Sequence, residues 1–387
     1  MPVRATKRGD ERTPLSGHWD VLICGASFAG LTIARELQGS GARVLMIDRY
    51  EIGERQTSAC AAPTEWLVNL GLDAAVKQTF EELVMHRPHK KYTWRLPFTF
   101  STFDYRHLCR LLREQGLDTE FETAKVDGRT QNTVHTDRGD LTAPLIVDAL
   151  GWRRTLSNAP AAIQPPNASL SRGLEVHPPA NGHELELWLD PKYVASGYGW
   201  AFPADDEVRI GLGSFEPRNR VKEETDQLTR DLGLEPNEYQ GNWIPHELRA
   251  ATEDGIFFVG DSAGHCLPLS AEGIRTAFFF GLAAGRELRL VIEGRQSREQ
   301  ALERYAAFSE ETRWKFRWML RTQRLVGRFN ASRLLDRVLD VMSAQVLIDW
   351  SFTHYFKIAD PDYALQGPRR AAVAAPRDAA EVEPVPA

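Results

Sequence analysis

The 387-residue sequence predicts an α/β protein: a discontinuous βαβ core, an inserted antiparallel sheet and a helical C-terminal region. Three observations predict it. Residues 20–48 read as apolar strand, glycine turn, helix and second apolar strand. Residues 171–215 carry runs that alternate with a period of two. A third apolar strand, IFFVG at 256–260, follows only about 200 residues after the first two.

The elements follow in order. DVLIC (20–24) ends at Gly25 and suits a strand buried on both faces. FAGLTIARELQ (28–38) has helical spacing, and Gly39 and Gly41 punctuate its end. RVLMID (43–48) is the second strand. PTEWLVNLGL (63–72) reads as helix and YTWRLPFTF (92–100) as strand. FDYRHLCRLLREQG (103–116) is an amphipathic helix with Leu108, Leu111 and Leu112 on one face. Short strands fill 119–149 and end in LIVDAL. RGLEVH, HELELWLD, GYGWAFP and EVRIGLGSF form the inserted sheet. Leu185, Leu187 and Leu189 there alternate with Glu184, Glu186 and Trp188. A helix over 273–293 follows IFFVG, and the chain is mostly helical from 298.

Bulk composition excludes several classes. Lys+Arg 47 against Asp+Glu 53 gives a net charge of −6, so no global charge favours nucleic acid. Cys24, Cys60, Cys109 and Cys266 are widely spaced, which suits reduced thiols in a cytoplasmic protein and no metal site. No apolar run approaches the ~18 residues of a membrane span. Residues 1–17 lack the apolar centre of a signal peptide and read as a disordered lead-in; 366–387, rich in Ala and Pro, read as a disordered tail.

Two motifs carry the chemistry. GASFAG (25–30) fits G-x-G-x-x-G with Ser27 in the middle place. Gly25 permits the turn, Ser27 stays small enough for close approach, and Gly30 lets helix and strand pack. A pyrophosphate then faces the free N–H groups of Phe28 and Ala29 at the helix start. Asp48, about 20 residues past Gly30, stands where a carboxylate accepts from a ribose hydroxyl, with Arg49 beside it. That carboxylate disfavours a 2′-phosphate, so FAD or NAD is expected over NADP. The second motif is GDSAGHCLPLSAEGI (260–274). Gly260 and Asp261 follow a strand, where the carboxylate can accept from a sugar-like hydroxyl chain. Gly273 and Ile274 open a helix whose dipole favours the negative edge of a reduced flavin. One FAD explains both motifs.

GASFAG, DALG (148–151) and GDSAG with AEGI resemble the FAD-dependent oxidoreductases of the geranylgeranyl reductase type. These lie within the fold group of aromatic hydroxylases and flavin halogenases, and the resemblance spans roughly residues 20–290. It implies a discontinuous Rossmann-like FAD-binding domain over 18–62, 101–160 and 250–295. A substrate domain would take 63–100 and 161–249, and a helical cap 296–365. By the same resemblance Tyr198 and Trp200, with Gly211 and Gly213, belong to an aromatic substrate-cavity motif. Cys60 in SACAAP falls in a segment beside the flavin, Arg106 reaches the phosphates, and Val126 contacts adenine. The chain departs from the pattern at Ser27 and at Ala61-Ala62. It lacks the halogenase WxWxIP, so halogenation is not expected.

Several residues admit two readings. Cys60 and Cys266 are redox or proton-relay thiols, or small packing residues. His265 is a general acid or a hydrogen-bonded bystander. Cys60 and His265 are the catalytic candidates. Tyr198 and Trp200 face substrate or fill a core. Arg153 and Arg154 bind cofactor or cap a turn. Arg313, Arg317, Arg321, Arg324 and Arg328, with Trp314 and Trp318, form a basic aromatic helix. It is a solvated face, a peripheral membrane contact, or a dock for an acidic carrier protein.

The expected function is FAD-dependent reduction of an alkene in an apolar, isoprenoid-like small molecule. Electrons would come from NAD(P)H or a flavin reductase, since no second GxGxxG exists. The alternatives are a flavin monooxygenase that hydroxylates or epoxidises a biosynthetic intermediate, and a non-catalytic flavin-binding protein.

Overall fold

The computed structural model describes residues 13–56, 58–159, 170–216 and 218–366. Most of the expected lead-in, the tail beyond 366, and residues 161–169 of the expected substrate domain lie outside these. Residues 13–17 do not fit a disordered lead-in. Leu15 N donates to Arg138 O at 2.7 Å, and Gly17–His18 pairs with Gly139–Thr142 as the edge of a four-stranded sheet.

The nucleotide-type sheet has six strands. In spatial order they are Thr252–Glu253, Ile256–Phe258, Leu145–Asp148, Val21–Cys24, Val44–Asp48 and Glu120–Thr123. All pair in parallel except the first, an antiparallel edge. Ile256–Phe258, Leu145–Asp148 and Val21–Cys24 are buried on both faces, which is why they read as unbroken apolar runs. Helix α1 (Phe28–Leu37) covers one face. The long apolar α5 (Ile274–Ile292) packs across it, with Gly281 and Gly285 set against Thr32 and Glu36. Burial of nearly all of α5 explains its composition.

The larger sheet has eight strands: Tyr239–Pro245, Leu170–Val176, Glu207–Ser214, Gly197–Ala204, Leu185–Trp188, Val76–Arg87, Lys90–Phe103 and Ala61–Pro63. The strands expected over 171–215 pair antiparallel with one another, as the sequence predicts; Leu185–Trp188 also pairs in parallel with Val76–Arg87, a strand from outside that stretch. The cause is chain order: these two neighbours come from different inserted segments, and no hairpin joins them.

Helices α2 (Thr64–Asn69) and α3 (Tyr105–Glu114) pack on the nucleotide side, and α4 (Lys222–Asp231) on the large sheet. Assignment of 64–75 to the substrate side is corrected here. Trp66, Leu67, Leu70 and Leu72 belong to the nucleotide-side core, where Trp66 meets Phe278. The expected helical cap divides too. Helix α6 (Arg298–Glu310) sits on the nucleotide-type sheet through Tyr305, whose hydroxyl donates to Phe258 O at 3.0 Å. Helices α7 (Arg313–Phe329), α8 (Arg333–Met342) and α9 (Gln345–Phe356) lie toward the large sheet. No described helix is long and apolar enough to cross a membrane.

Candidate functional site

One cavity of about 1520 Å³ joins the two halves. It reaches from Lys125, Val126 and Asp48 past Ser27, Phe28 and Ala29, then past Gly260, Asp261, Gly273 and Ile274, into a chamber under the large sheet.

The first end is made of backbone. Gly25 has φ +113, a conformation that favours glycine. A Cβ on Gly30 would lie 1.9 Å from the carbonyl oxygen of Gly25, so α1 starts pressed against the preceding turn. Gly25 and Gly30 therefore shape the cradle from behind its surface. No acid stands in the first turn of α1, and Ser27 makes no side-chain cap, so its leading N–H groups stay free toward the cavity. The Ser27 hydroxyl instead lies 3.2 Å from that of Tyr105, the first residue of α3. Asp48 accepts from Ala26 N at 2.8 Å and Tyr50 N at 3.0 Å, so it also pins the glycine loop. A carboxylate has acceptor capacity beyond these two bonds, which leaves room for a ribose hydroxyl. Burial raises the Asp48 carboxyl, and the backbone donors oppose that rise.

Arg106 does not join this end. It is exposed on the first turn of α3 and does not line the cavity; its neighbour Tyr105 turns inward in its place. The N-cap Asp104, which accepts from His107 N at 2.7 Å, fixes that start of the helix. Arg49, Val126 and Arg153 line the cavity. Arg154 serves the turn. It donates to Ala250 O and Ser262 O, pairs with Glu253 at 3.1 Å and lies over the Phe258 ring.

The late loop is tied to the DALG turn through Asp148. That buried carboxylate accepts from Ser262 Oγ at 2.6 Å, Leu156 N at 2.8 Å and Leu150 N at 3.0 Å. Asp261, next to Ser262, faces the cavity, and no hydrogen bond from a described residue reaches its carboxylate. Burial pushes that carboxyl up to about 6, with Arg249 opposing. An acceptor held without a donor beside a cavity fits a ribityl hydroxyl. Gly273 caps α5 without a side chain, and no acid follows in the first turn. These features fit FAD at both ends.

Helix α9 braces the flavin loop. Tyr355 donates to Ser270 Oγ at 2.7 Å and contacts the Glu272 carboxylate. Glu272 pairs with the fully buried Arg275 at 2.7 Å, and Arg275 donates to Phe356 O at 2.7 Å and Tyr355 O at 3.1 Å. Tyr198 donates to Ser270 O from the sheet side. Tyr198 and Trp200 both line the chamber. Trp200 lies over Gly211, where a Cβ would be 2.3 Å from its ring, and its Nε1 donates to Glu175 at 3.2 Å. Glu175 and Glu207 flank His177. Burial lowers the His177 pKa, and the two carboxylates outweigh that and raise it.

Neither catalytic candidate reaches the cavity. Cys60 is fully buried between cavity-lining Ala59 and Ala61. Burial holds its thiol well above the ordinary value, which disfavours the thiolate that redox chemistry needs. His265 is fully buried, stacked on Phe280 at 3.6 Å, with Nε2 2.9 Å from Ser309 Oγ. Burial pushes its pKa well down, so it stays neutral. Cys266 does line the cavity, with its thiol raised by burial. Tyr105, Glu175, Glu272 and Tyr355 were missed from sequence. Only Glu272, inside AEGI, carried a local signal.

No protein-family model matches the chain. It is 33% identical over 128 residues to a digeranylgeranylglycerophospholipid reductase of Methanococcus vannielii, covering 31% of this chain and 32% of that relative. A digeranylgeranylglycerophospholipid reductase 3 of Methanosphaera stadtmanae is 23% identical over 75% of this chain and 82% of its own length. A geranylgeranyl bacteriochlorophyll reductase-like protein from Thermoplasma acidophilum shares the fold, with TM-score 0.75, 17% identity and coverage of 91% and 99% of the two chains. So does PqsL, a probable FAD-dependent monooxygenase from Pseudomonas aeruginosa, with TM-score 0.59, 16% identity and coverage of 88% and 100%. Fold, cradle and relatives together resemble one class, the FAD-dependent oxidoreductases. Within it the chain resembles the geranylgeranyl reductase type, in the wider fold group of aromatic hydroxylases and flavin halogenases.

Proposed function

We propose that the chain adds hydrogen across a carbon–carbon double bond of an isoprenoid-like substrate. The observation that carries this reading is the apolar wall of the chamber, made by Leu83, Met85, Trp94, Leu96, Leu185 and Leu187. A prenyl chain presents almost nothing but apolar surface, and burying it contributes roughly 25 cal/mol per Å². The names of these two relatives point to the same substrate class. Bound FAD would supply a hydride. The chain's own residues orient the substrate and exclude water: Trp200 and Tyr198 from the sheet, residues 270–274 from the braced loop. Electrons come from NAD(P)H or a separate reductase, since the one glycine fingerprint serves FAD. A cytoplasmic setting suits four cysteines that are all buried and unpaired.

Hydroxylation is the competing reading, favoured by the polar Glu175 at one wall of the chamber, with His177 paired to it from behind. The test is to reduce the purified protein without oxygen, add a polyunsaturated prenyl alcohol, and repeat with labelled oxygen. A product heavier by two hydrogens in both runs supports reduction. Labelled oxygen in the product overturns it. Bound flavin that turns over nothing leaves a flavin-binding protein without catalysis.

A further inference from the structure

Among the described residues, eight of the thirteen exposed large hydrophobic side chains lie in α7–α9, so this surface differs in kind from the rest. Trp314 is 68% exposed, and Trp318 and Trp350 are each 61% exposed, yet all three also line the cavity. They mark its mouth. On α7, Trp314, Trp318 and Leu325 form one stripe. At about 100° per residue, Arg317, Arg321, Arg324 and Arg328 flank it within roughly a quarter turn. Val346, 78% exposed, stands one turn before Trp350 on α9. Among the described residues no carboxylate lies within ion-pairing distance of Arg317, Arg321 or Arg328. Arg324 is 3.6 Å from Glu247, and both side chains are exposed. This basic face stands on a chain whose net charge is −6.

We propose that this face docks on an anionic lipid bilayer, with the three tryptophans at headgroup level and the cavity mouth turned to the acyl chains. Amphipathic indole rings settle at that depth, and flanking guanidiniums gain from anionic headgroups. A protein seated on the rim would seal the mouth; a bilayer leaves it open to an apolar phase. The docking extends the apolar-substrate reading and does not depend on which reaction follows.

The test uses the FAD-loaded protein with vesicles of phosphatidylcholine alone, or mixed with phosphatidylglycerol. Binding to the mixed vesicles is expected at least 10-fold above the neutral ones, weakened by salt, with a blue shift of tryptophan emission. The combined Trp314→Ala, Trp318→Ala and Trp350→Ala variant is expected to lose about 10-fold in vesicle binding while keeping its flavin. Val68→Ala with Leu117→Ala, exposed elsewhere, keeps binding. Absence of binding by the native protein overturns the proposal, as does equal binding by the triple variant. A vesicle-free dimer that the triple variant abolishes would assign the face to a second copy instead. Vesicle binding is read without turnover. An inactive protein that still binds therefore sinks only the reaction, and an active one that does not bind sinks only the docking.

Discussion

The two ends of the cavity are built from different materials. The pyrophosphate end is backbone: a glycine turn, free N–H groups of α1, and Asp48 holding the loop through the Ala26 amide. The chamber end is side chain: leucines from strands far apart in sequence, with Trp200 laid over Gly211. A backbone site has one geometry and admits no added atom at its tightest point. A side-chain site can change its occupant by changing its lining. The first explains how one cofactor fits a whole fold group, and the second where members of that group part company.

That contrast can be broken at its stiff end with the largest effect. Gly30→Val places a Cβ against the Gly25 carbonyl with no room to give. Flavin content per protein, read by absorbance after desalting, is expected to fall at least about 100-fold, or the protein fails to fold. Gly211→Val tests the soft end. It pushes Trp200 off its floor, so kcat/KM for a prenyl substrate is expected to fall about 10- to 100-fold with flavin content unchanged. Loss of flavin in that variant would show that the ends are not separable.

Asp261 sharpens the comparison through pH. Its carboxyl stays protonated up to about 6 in the folded, flavin-free protein, against 3.8 ordinarily. Between those values the folded state holds a proton that the unfolded chain has released, so stability falls as pH rises. Asp261→Asn is expected to remove that fall, on the order of 2–3 kcal/mol, in thermal melts of the stripped protein from pH 4 to pH 7. A variant with the same pH slope as the native protein would place the penalty elsewhere. The smallest effect is expected at Cys60. Cys60→Ala should leave turnover within about 2-fold, since its thiol lies behind the cavity wall. A deep loss of kcat with flavin retained would return that thiol to the chemistry.

The legibility of the sequence follows the same division. The βαβ cradle, its third apolar strand Ile256–Phe258 and the Asp261–Ile274 loop were readable because glycine spacing and unbroken apolar strands are local signals. Ser27 was readable as a small residue but not as a partner of Tyr105, because that bond spans 78 positions. Arg106 and Tyr105 show the limit. A motif places a helix start, but helix phase decides which of two neighbours faces inward. Cys60 and His265 failed for a related reason. Their loops do border the cavity, and the side chains point away from it. The parallel Leu185–Trp188 and Val76–Arg87 pairing had no signal at all, since strand partners are set by packing across two inserted segments.

The brace on the flavin loop also bears on how the protein is made. Residues 355–363 hang on the nucleotide side by their carbonyls, taken up by Arg275, Trp66, Asn69 and Arg286. Trp66 and its acceptor Ala359 are 293 residues apart. At about 5–20 residues per second, a ribosome needs roughly 15–60 seconds to deliver the second after the first. During translation, then, the glycine cradle emerges long before the strut that steadies its counterpart.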